Sequence, residues 1–293
     1  MKSNPFLTIL MLLAMTVSCN KSQGYGDLDI HVSHTFNDQP LVTDTCRYHN
    51  EAGESMMVNE IQWFISNILL KDEQGGTHPL EKIYYIDTNL PETQTLQATN
   101  IPCGKYVSMQ FTFGLDENDN RTGRFVDPPE SNMFWPEPLG GGYHYMKLNA
   151  KFVDAEQQLV PVNVHLGIGQ NESLTEFYQN YFTVELPIDL TIAEEKTGAL
   201  HLDMVIDNWF RNPHLYRFQD SPTHIMQNQA AQQIFKENGQ DVFRILPEKA
   251  SEPGFIKAVS ELFRKAAPKP HFYTKKNMKE LLSELNLRNS QRK

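Results

Sequence analysis

Apolar and polar side chains alternate with a period of two along much of the segment between Gly26 and Asn208. The alternation is clearest at residues 28–33, 106–113 and 200–207. Because successive side chains of a β-strand point to opposite faces, this pattern predicts strands that each bury one face. Turn-forming residues separate the predicted strands. We therefore expect a mainly β protein, built as an antiparallel Greek-key β-sandwich.

The composition changes after Trp209, where the spacing of apolar residues becomes helical. Three segments have this spacing: 223–238, 254–267 and 274–287. Thr223 is of a residue type that caps helix N-termini, so we expect the first helix to begin there. These patterns divide the chain into a β-sandwich domain at 27–215 and a helical C-terminal extension at 216–293.

The N-terminus has the pattern of an export signal. Lys2 precedes an apolar run of about ten residues, 6–15, which is shorter than the roughly 20 residues that span a bilayer. Cys19 follows a small residue near the end of this segment, as the lipid-accepting cysteine of a bacterial lipoprotein does. We expect a lipoprotein signal peptide at 1–18, a tether at 19–26, and a mature protein anchored by lipid in the cell envelope, in the periplasm or at the outer membrane. Simple secretion, with Cys19 free or paired, is the alternative.

Two other cysteines are present, Cys46 and Cys103. Disulfides form in exported proteins, and an even number of remaining cysteines favours pairing. We therefore expect a disulfide between Cys46 and Cys103. Two buried thiols are the alternative.

The charge and the motifs exclude several function classes. The formal net charge is −10 at pH 7, and the one basic stretch, 275–293, alternates Leu with charge as a terminal helix does. A surface that binds nucleic acid needs clustered Lys and Arg instead. The chain has no phosphate-binding loop, no Gly-x-Ser-x-Gly motif and no His-Glu-x-x-His motif. The sequence therefore predicts a protein that is not an enzyme and does not bind nucleic acid.

Two histidines and a tryptophan lie in neighbouring segments of the predicted sandwich. His144 alternates with Met146 on a presumed inward face, and Trp135 precedes a Gly-rich turn. His165 lies in the next predicted strand. If the two strands pair, the imidazoles of His144 and His165 meet, and neutral imidazole is a good ligand for copper. Hydrogen-bonded structural histidines and an aromatic plug are the alternative interpretation of these three residues.

Six motifs carry a resemblance to a known family. They are Ile65-Ser-Asn-Ile68, Phe113-Gly-Leu-Asp116, Asn132-Met-Phe-Trp135, Gly142-Tyr-His-Tyr-Met-Lys-Leu148, His165-Leu-Gly167 and Asn208-Trp-Phe-Arg-Asn-Pro213. In this order the chain resembles the MbnP-like family, copper-binding envelope proteins of methanobactin operons and their relatives, which include lipoproteins of Bacteroidetes-type bacteria. The resemblance covers most of the chain from Asp27 to about Phe243.

The resemblance implies a β-rich protein that binds copper. In some members of the family, a Trp oxidised to kynurenine helps two His to hold the metal. The gene often lies beside that of a MauG-like dihaem cytochrome c peroxidase. By this resemblance, Trp135, His144 and His165 are the expected metal site, copper is the expected cofactor, and the peroxidase is the expected partner.

Alternatives to this site stay open. Trp135 and His144 are nine residues apart, which is longer than the Trp-to-His spacing of some copper-binding relatives. Trp209 is therefore a second candidate for the modified Trp, and His31 or His201 is a further candidate ligand. The rival function is a surface lipoprotein that binds a peptide, a glycan or a protein partner through its aromatic and Gly-rich loops.

Overall fold

The computed structural model describes residues 23–80, 82–171, 173 and 175–247. Within this part the strands are β1 (Tyr25–Phe36), β2 (Gln39–Pro40), β3 (Tyr48–His49), β4 (Ser55–Asp72), β5 (Thr77–Leu80), β6 (Tyr84–Asp87), β7 (Thr95–Pro102), β8 (Gly104–Phe113), β9 (Met146–Val153), β10 (Leu159–Leu166), β11 (Gly169–Gln170), β12 (Phe177–Tyr178), β13 (Phe182–Ile192), β14 (Thr197–Val205) and β15 (Phe243–Ile245). The α-helix is α1 (Gln229–Asn238), and the short 3-10 turns are Pro91–Gln94, Glu130–Met133, Glu137–Leu139, Ile206–Phe210 and Gly239–Asp241. None of the helices described here has the length and apolar character needed to cross a bilayer.

Four earlier predictions lie outside the described residues. They are the signal peptide at 1–18, lipidation of Cys19, and the helices at 254–267 and 274–287. The tether at 19–26 is described only from residue 23 onward, and β1 already begins at Tyr25.

The strands form two main sheets. The smaller sheet has the order β15-β14-β1-β2, with β7 also paired to β1. The larger sheet has the order β10-β9-β4-β8-β13, and β3, β5 and β6 also pair with β4. A separate small ribbon contains β11 and β12. The chain crosses from one main sheet to the other four times, between β2 and β3, β6 and β7, β7 and β8, and β13 and β14. The two sheets share one hydrophobic core.

This architecture confirms the predicted mainly β sandwich with a helix near the C-terminal end of the described chain. Most strand pairs are antiparallel, but β1 and β14 run parallel over nine residue pairs, from Asp27 with Thr197 to Thr35 with Val205. Alternation cannot distinguish parallel from antiparallel pairing, because both place successive side chains on opposite faces.

Aromatic side chains from both sheets meet in the core. Trp63 of β4 is fully buried, and its ring centroid lies 6.0 Å from that of Phe113 and 5.3 Å from that of Phe243. Phe113 belongs to the larger sheet and Phe243 to the smaller one. Trp63 therefore packs directly between the two sheets.

The core continues beyond residue 215. Phe218, Phe235 and Phe243 are all buried in the same cluster as the sandwich strands. Helix α1 begins at Gln229, and Asn228 caps it, because the Asn228 side chain accepts a hydrogen bond from the Ala231 amide at 2.9 Å. The predicted helix start at Thr223 is therefore wrong, since the cap that forms lies five residues later in the chain.

The predicted disulfide between Cys46 and Cys103 is also wrong, because both residues are free thiols in the described chain. Cys103 lies at the start of β1, where its amide donates to the Gly24 carbonyl at 2.8 Å. Cys46 lies near the other end of β1. Tyr48, two residues after Cys46, stacks on Phe36, the last residue of β1, with ring centroids 4.4 Å apart. A strand of 12 residues is roughly 36 Å long, whereas bonded cysteines have Cα atoms within about 7 Å of each other.

A buried imidazole lies beside Trp63. His34 of β1 points into the core, and its Nε2 accepts a hydrogen bond from the Trp63 indole N–H at 3.1 Å. Burial lowers the pKa of His34 to about 4, and the opposing effect of the Asp87 carboxylate is smaller. The neutral ring is the form that fits, because protonated His34 has no lone pair with which to accept from the indole.

The stability of the fold should therefore fall in mild acid. Between pH 6.5 and about 4 the unfolded chain protonates His34 and the folded chain does not, so stability is complete above pH 6.5 and is lost as the pH falls. His34 should contribute a slope of about 1.4 kcal/mol per pH unit in this range. Urea unfolding from pH 7 to pH 4 measures the slope, and His34→Gln, which keeps an acceptor for Trp63, should make it shallower. Equal slopes for the two proteins would contradict this assignment.

Candidate metal centre

Trp135, His144 and His165 are brought together at one end of the larger sheet. His165 lies on β10, which pairs with β9 so that His165 is opposite Lys147. His144 lies just before β9, and its amide donates to the Met133 carbonyl at 2.6 Å. The ring centroids of His144 and His165 are 5.1 Å apart, and those of Trp135 and His144 are 4.7 Å apart. The strand pairing on which the predicted contact depended is therefore present.

The site lies on the outer face of the larger sheet. On β10, Val164 and Leu166 are buried in the core, so His165 between them points outward. The ring of His144 contacts His165 on that side, which corrects the prediction that His144 shares an inward face with Met146. The reason is that β9 begins only at Met146, so the alternation does not extend back to His144. The segment that contains Trp135 covers the site and leaves His144 only 5% exposed.

Hydrogen bonds fix the tautomer of His144. Its Nδ1 is 2.9 Å from the carbonyl oxygen of Met133. A carbonyl only accepts, so Nδ1 carries the proton and donates it. The lone pair of neutral His144 is therefore on Nε2.

The tautomer of His165 is fixed through two further residues. Its Nε2 is 2.9 Å from the side-chain oxygen of Asn149, and the Asn149 amide nitrogen donates to the Glu60 carboxylate at 3.2 Å. Because Glu60 accepts from the amide nitrogen, the oxygen of Asn149 faces His165 and accepts from its Nε2–H. The lone pair of neutral His165 is therefore on Nδ1. Hydrogen bonds of this kind orient metal-binding histidines.

Both imidazoles are held in the neutral form. Burial is the main cause that lowers the pKa of His144 to about 3, and the nearby Lys147 ammonium lowers it further. Burial also lowers the pKa of His165 to about 4, again with a contribution from Lys147. At neutral pH the pair presents two lone pairs and no competing protons, which is the donor set that a metal ion needs.

Trp135 is fixed in place beside the histidines. Its side chain is fully buried, and its indole N–H donates to the Leu139 carbonyl at 3.0 Å. Gly167 lies against the ring, since a Cβ at this position would be 2.6 Å from Trp135 Cε3. The motif His165-Leu-Gly167 therefore has two roles at the site. His165 supplies an imidazole, and Gly167 leaves room for the Trp135 indole.

The alternative candidates lie elsewhere. Trp209 packs in the core with its ring 5.3 Å from Phe113, and its indole N–H has no hydrogen-bond partner among the described residues. His31 and His201 are opposite each other on the smaller sheet. In the described chain, no group of three or more His, Cys, Asp or Glu side chains is arranged to hold a metal ion. Any metal at His144 and His165 would thus have two such side chains as ligands.

Sequence reasoning missed the supporting residues. Asn149, Glu60 and Lys147 surround the two histidines. Asn149 and Lys147 belong to the regular strand β9, and Glu60 lies at an irregularity of β4, where the register with β9 shifts. Their roles depend on the register between β4, β9 and β10, and the sequence carries no local signal for that register.

Comparison with known proteins agrees with this architecture. A family profile for MbnP matches residues 25–227. Among solved structures, the chain is similar to MbnP from Methylosinus trichosporium, with a TM-score of 0.50 and 12% sequence identity, over 75% of this chain and 97% of the other. At this identity the likeness shows the fold alone, and no curated protein gives a match. Because the family profile spans more than half of the sequence, the chain belongs to the MbnP family, a copper-related family associated with methanobactin.

Proposed function

We propose that this protein binds copper in the cell envelope through His144 and His165, beside Trp135. The observation that carries the proposal is the pair of buried, neutral imidazoles, each with one nitrogen committed as a donor and the other left with its lone pair. Copper-related membership of the family supports the choice of metal. The protein is a binding protein in this proposal and not an enzyme.

The charge of the surroundings favours Cu(I) over a divalent ion. The two ligands are uncharged, and Lys147 is close enough to lower the pKa of both rings. A buried cation without an anionic ligand is costly, and the cost rises with its charge. Imidazole suits copper, and a monovalent ion keeps the electrostatic penalty smallest.

Trp135 is the proposed site of oxidative modification by a MauG-like dihaem peroxidase. Conversion of indole to kynurenine cleaves the C2–C3 bond and removes C2 as formate, so one carbon atom is replaced by one oxygen atom. In this proposal peroxide supplies the oxygen atoms that open the C2–C3 bond and is reduced to water, and water then hydrolyses the N-formyl group and releases formate. Trp135 is buried, but Leu139, which accepts its N–H, lines an open cleft. A partner bound in this cleft would therefore contact Leu139, the residue that is hydrogen-bonded to the indole, without unfolding the site.

The proposed location depends on the N-terminus. Lipidation of Cys19 after removal of residues 1–18 would tether the sandwich to a membrane through a chain that enters β1 at Tyr25. A mass spectrum of the mature protein from its native envelope tests this step, because a diacyl or triacyl group on Cys19 gives a distinct N-terminal peptide.

A second candidate function is the binding of a peptide, glycan or protein partner by a surface lipoprotein. The observation that favours it is a cleft of about 840 Å³ next to the Trp135 segment, lined in part by Leu139, Ile168 and Tyr178. This cleft has the size of a small-molecule site. It contains no cluster of metal-binding side chains, so the two functions differ in the residues that they require.

Reconstitution with Cu(I) separates these functions. The purified protein should retain about one Cu(I) per chain against a chelator of moderate affinity if the copper proposal holds. Protein made with and without the neighbouring dihaem enzyme should differ in the mass of the Trp135 peptide by the exchange of carbon for oxygen. Protein that binds no Cu(I) in either form would leave only the binding-surface function.

Asn149→Ala should weaken copper binding without removing a ligand. The substitution deletes the acceptor of the His165 Nε2–H, so the proton is free to move to the nitrogen that the metal needs. Loss of such a supporting hydrogen bond typically costs 10- to 100-fold in metal affinity, which we expect here. Competition with a chromophoric Cu(I) chelator measures the change.

Asn163→Ala is the matched control. Asn163 is opposite Asn149 in the β9–β10 ladder, but its side chain bonds to His224 at 3.0 Å. Its replacement should leave the affinity unchanged. If both variants behave alike, the proposed tautomer of His165 is wrong.

A further inference from the structure

A second pair of imidazoles lies on the smaller sheet. His31 of β1 and His201 of β14 are direct partners in the parallel ladder, and their ring centroids are 4.8 Å apart with an interplanar angle of 40°. Leu28, Ile30 and Val32 of β1 are buried, so His31 points to the outer face of this sheet. His144 and His165 lie on the outer face of the other sheet. The two pairs are therefore on opposite sides of the sandwich, with the core between them.

His201 is the unusual member of this pair. Its residue is only 8% exposed, yet neither ring nitrogen has a hydrogen-bond partner in the described part of the chain. The ring nitrogens of His201 are not among the fully buried side-chain atoms that lack a partner, so they stay open to solvent. His201 thus keeps ring nitrogens that no described residue binds and that an ion in solution can reach.

His31 also keeps one nitrogen available. Its Nδ1 is 3.3 Å from the Thr95 hydroxyl, and its Nε2 has no partner among the described residues. Thr95 is opposite His31 on β7, so the ring lies between Thr95 on one side and His201 on the other. The hydroxyl orients the ring of His31, as a supporting residue does at a metal site.

The neighbouring charges favour a cation. Asp29 lies on the same face as His31, two residues earlier and thus about 7 Å away along the strand. Its carboxylate has one hydrogen bond among the described residues, a long one of 3.5 Å from the Gln97 amide nitrogen. Asp203 lies on the other side, but Ser33, Thr35 and Arg244 occupy its oxygens. Asp29 therefore adds negative potential beside the pair, and the Asp203–Arg244 ion pair is close to neutral.

We infer that His31 and His201 form a second metal site, which binds a divalent transition ion and prefers Cu(II). Two imidazoles on adjacent strands supply two ligands, and water completes the coordination on the partly exposed His31 side. Metal–imidazole bonds are about 2 Å long, so rings in contact across a ladder can share one ion through small side-chain rotations. Among divalent first-row ions, Cu(II) binds nitrogen donors most tightly.

The test removes the first pair and titrates the second. The full-length His144→Ala/His165→Ala protein is titrated with CuCl₂ in the presence of glycine as a weak competitor, and EPR is recorded. We expect one Cu(II) per chain, with hyperfine structure from two imidazole nitrogens. In this background His31→Ala or His201→Ala should each lower the affinity at least about 10-fold.

His78→Ala is the control variant. His78 is paired with Asp72 at 3.0 Å on the larger sheet, so its loss should not change the Cu(II) signal of this pair. Unchanged Cu(II) binding in either variant, as long as that variant is folded, would overturn the inference, and so would the absence of binding in the parent double variant. His31 is only partly buried, so His31→Ala gives an answer even if His201→Ala does not fold. Cu(I) binding at the first site is silent in EPR and needs His144 and His165, so failure of one site does not imply failure of the other.

Discussion

Replacement of both His144 and His165 by alanine should abolish tight Cu(I) binding while the sandwich still folds. The two imidazoles are the protein donors of the proposed site, and no third His, Cys, Asp or Glu in the described chain is arranged to replace them. Loss of a supporting hydrogen bond alone costs up to about 100-fold, so loss of both ligands should exceed that. Competition with a Cu(I) chelator, over several chelator concentrations, measures the affinity.

The fold should survive this double substitution. The Met133 carbonyl loses the imidazole donor but still accepts from the backbone amide of residue 144 at 2.6 Å, so the loss of this hydrogen bond should cost about 0.5–1.5 kcal/mol. Circular dichroism and thermal unfolding verify that the variant is folded. His78→Ala is a control, because the His78 ring pairs with Asp72 at 3.0 Å and is not among the causes that shift the pKa of either proposed ligand. Tight Cu(I) binding by the double variant would contradict the proposed ligands.

Trp63→Ala should be among the most destabilising single substitutions in the core. The side chain is fully buried and contacts Phe113 of the larger sheet and Phe243 of the smaller one. Truncation of a buried Trp typically lowers the free energy of unfolding by about 3–5 kcal/mol, because apolar contacts are lost and a cavity remains. The indole N–H of Trp63 also donates a hydrogen bond to Nε2 of His34. In Trp63→Ala this buried acceptor would be left without a donor.

Urea unfolding of wild type, Trp63→Ala and Trp63→Phe separates these two contributions. Trp63→Phe keeps an aromatic ring between the sheets but removes the donor to His34, so its cost should be smaller. A loss below about 1 kcal/mol for Trp63→Ala would show that the two sheets are not held together at this point.

Local alternation was sufficient to predict the strands but not their neighbours. The segments at 28–33 and 106–113 lie in β1 and β8. Residues 200–205 of the third segment lie in β14, where both sides of the strand are buried, and residues 206 and 207 begin a 3-10 turn. The parallel pairing of β1 with β14 joins residues 170 positions apart, as Ser33 and Asp203 illustrate. Pairing over such a distance is decided by the packing of the whole core and leaves no signal in a short window.

The site was predicted in part. The contact between His144 and His165 follows from the pairing of neighbouring strands, β9 and β10, which is a common arrangement of consecutive strands. The side of the sheet was wrong for His144, because this residue precedes the regular strand. The fixed tautomers could not be predicted either, since Asn149 and Met133 reach the two rings only through the register and the covering segment.

The disulfide failed for a topological reason. Counting cysteines shows how many can pair, but it carries no distance. Both thiols are free in the described chain. The two cysteines lie near opposite ends of β1, and the length of this strand keeps them apart.

The most direct test of the copper proposal is anomalous diffraction at the copper absorption edge from crystals reconstituted with Cu(I). We expect one strong peak about 2 Å from both Nε2 of His144 and Nδ1 of His165. A peak at bonding distance from Nδ1 of His144 and Nε2 of His165 would contradict the proposed site. The absence of a peak between these two rings, in a crystal that contains copper elsewhere, would also contradict it.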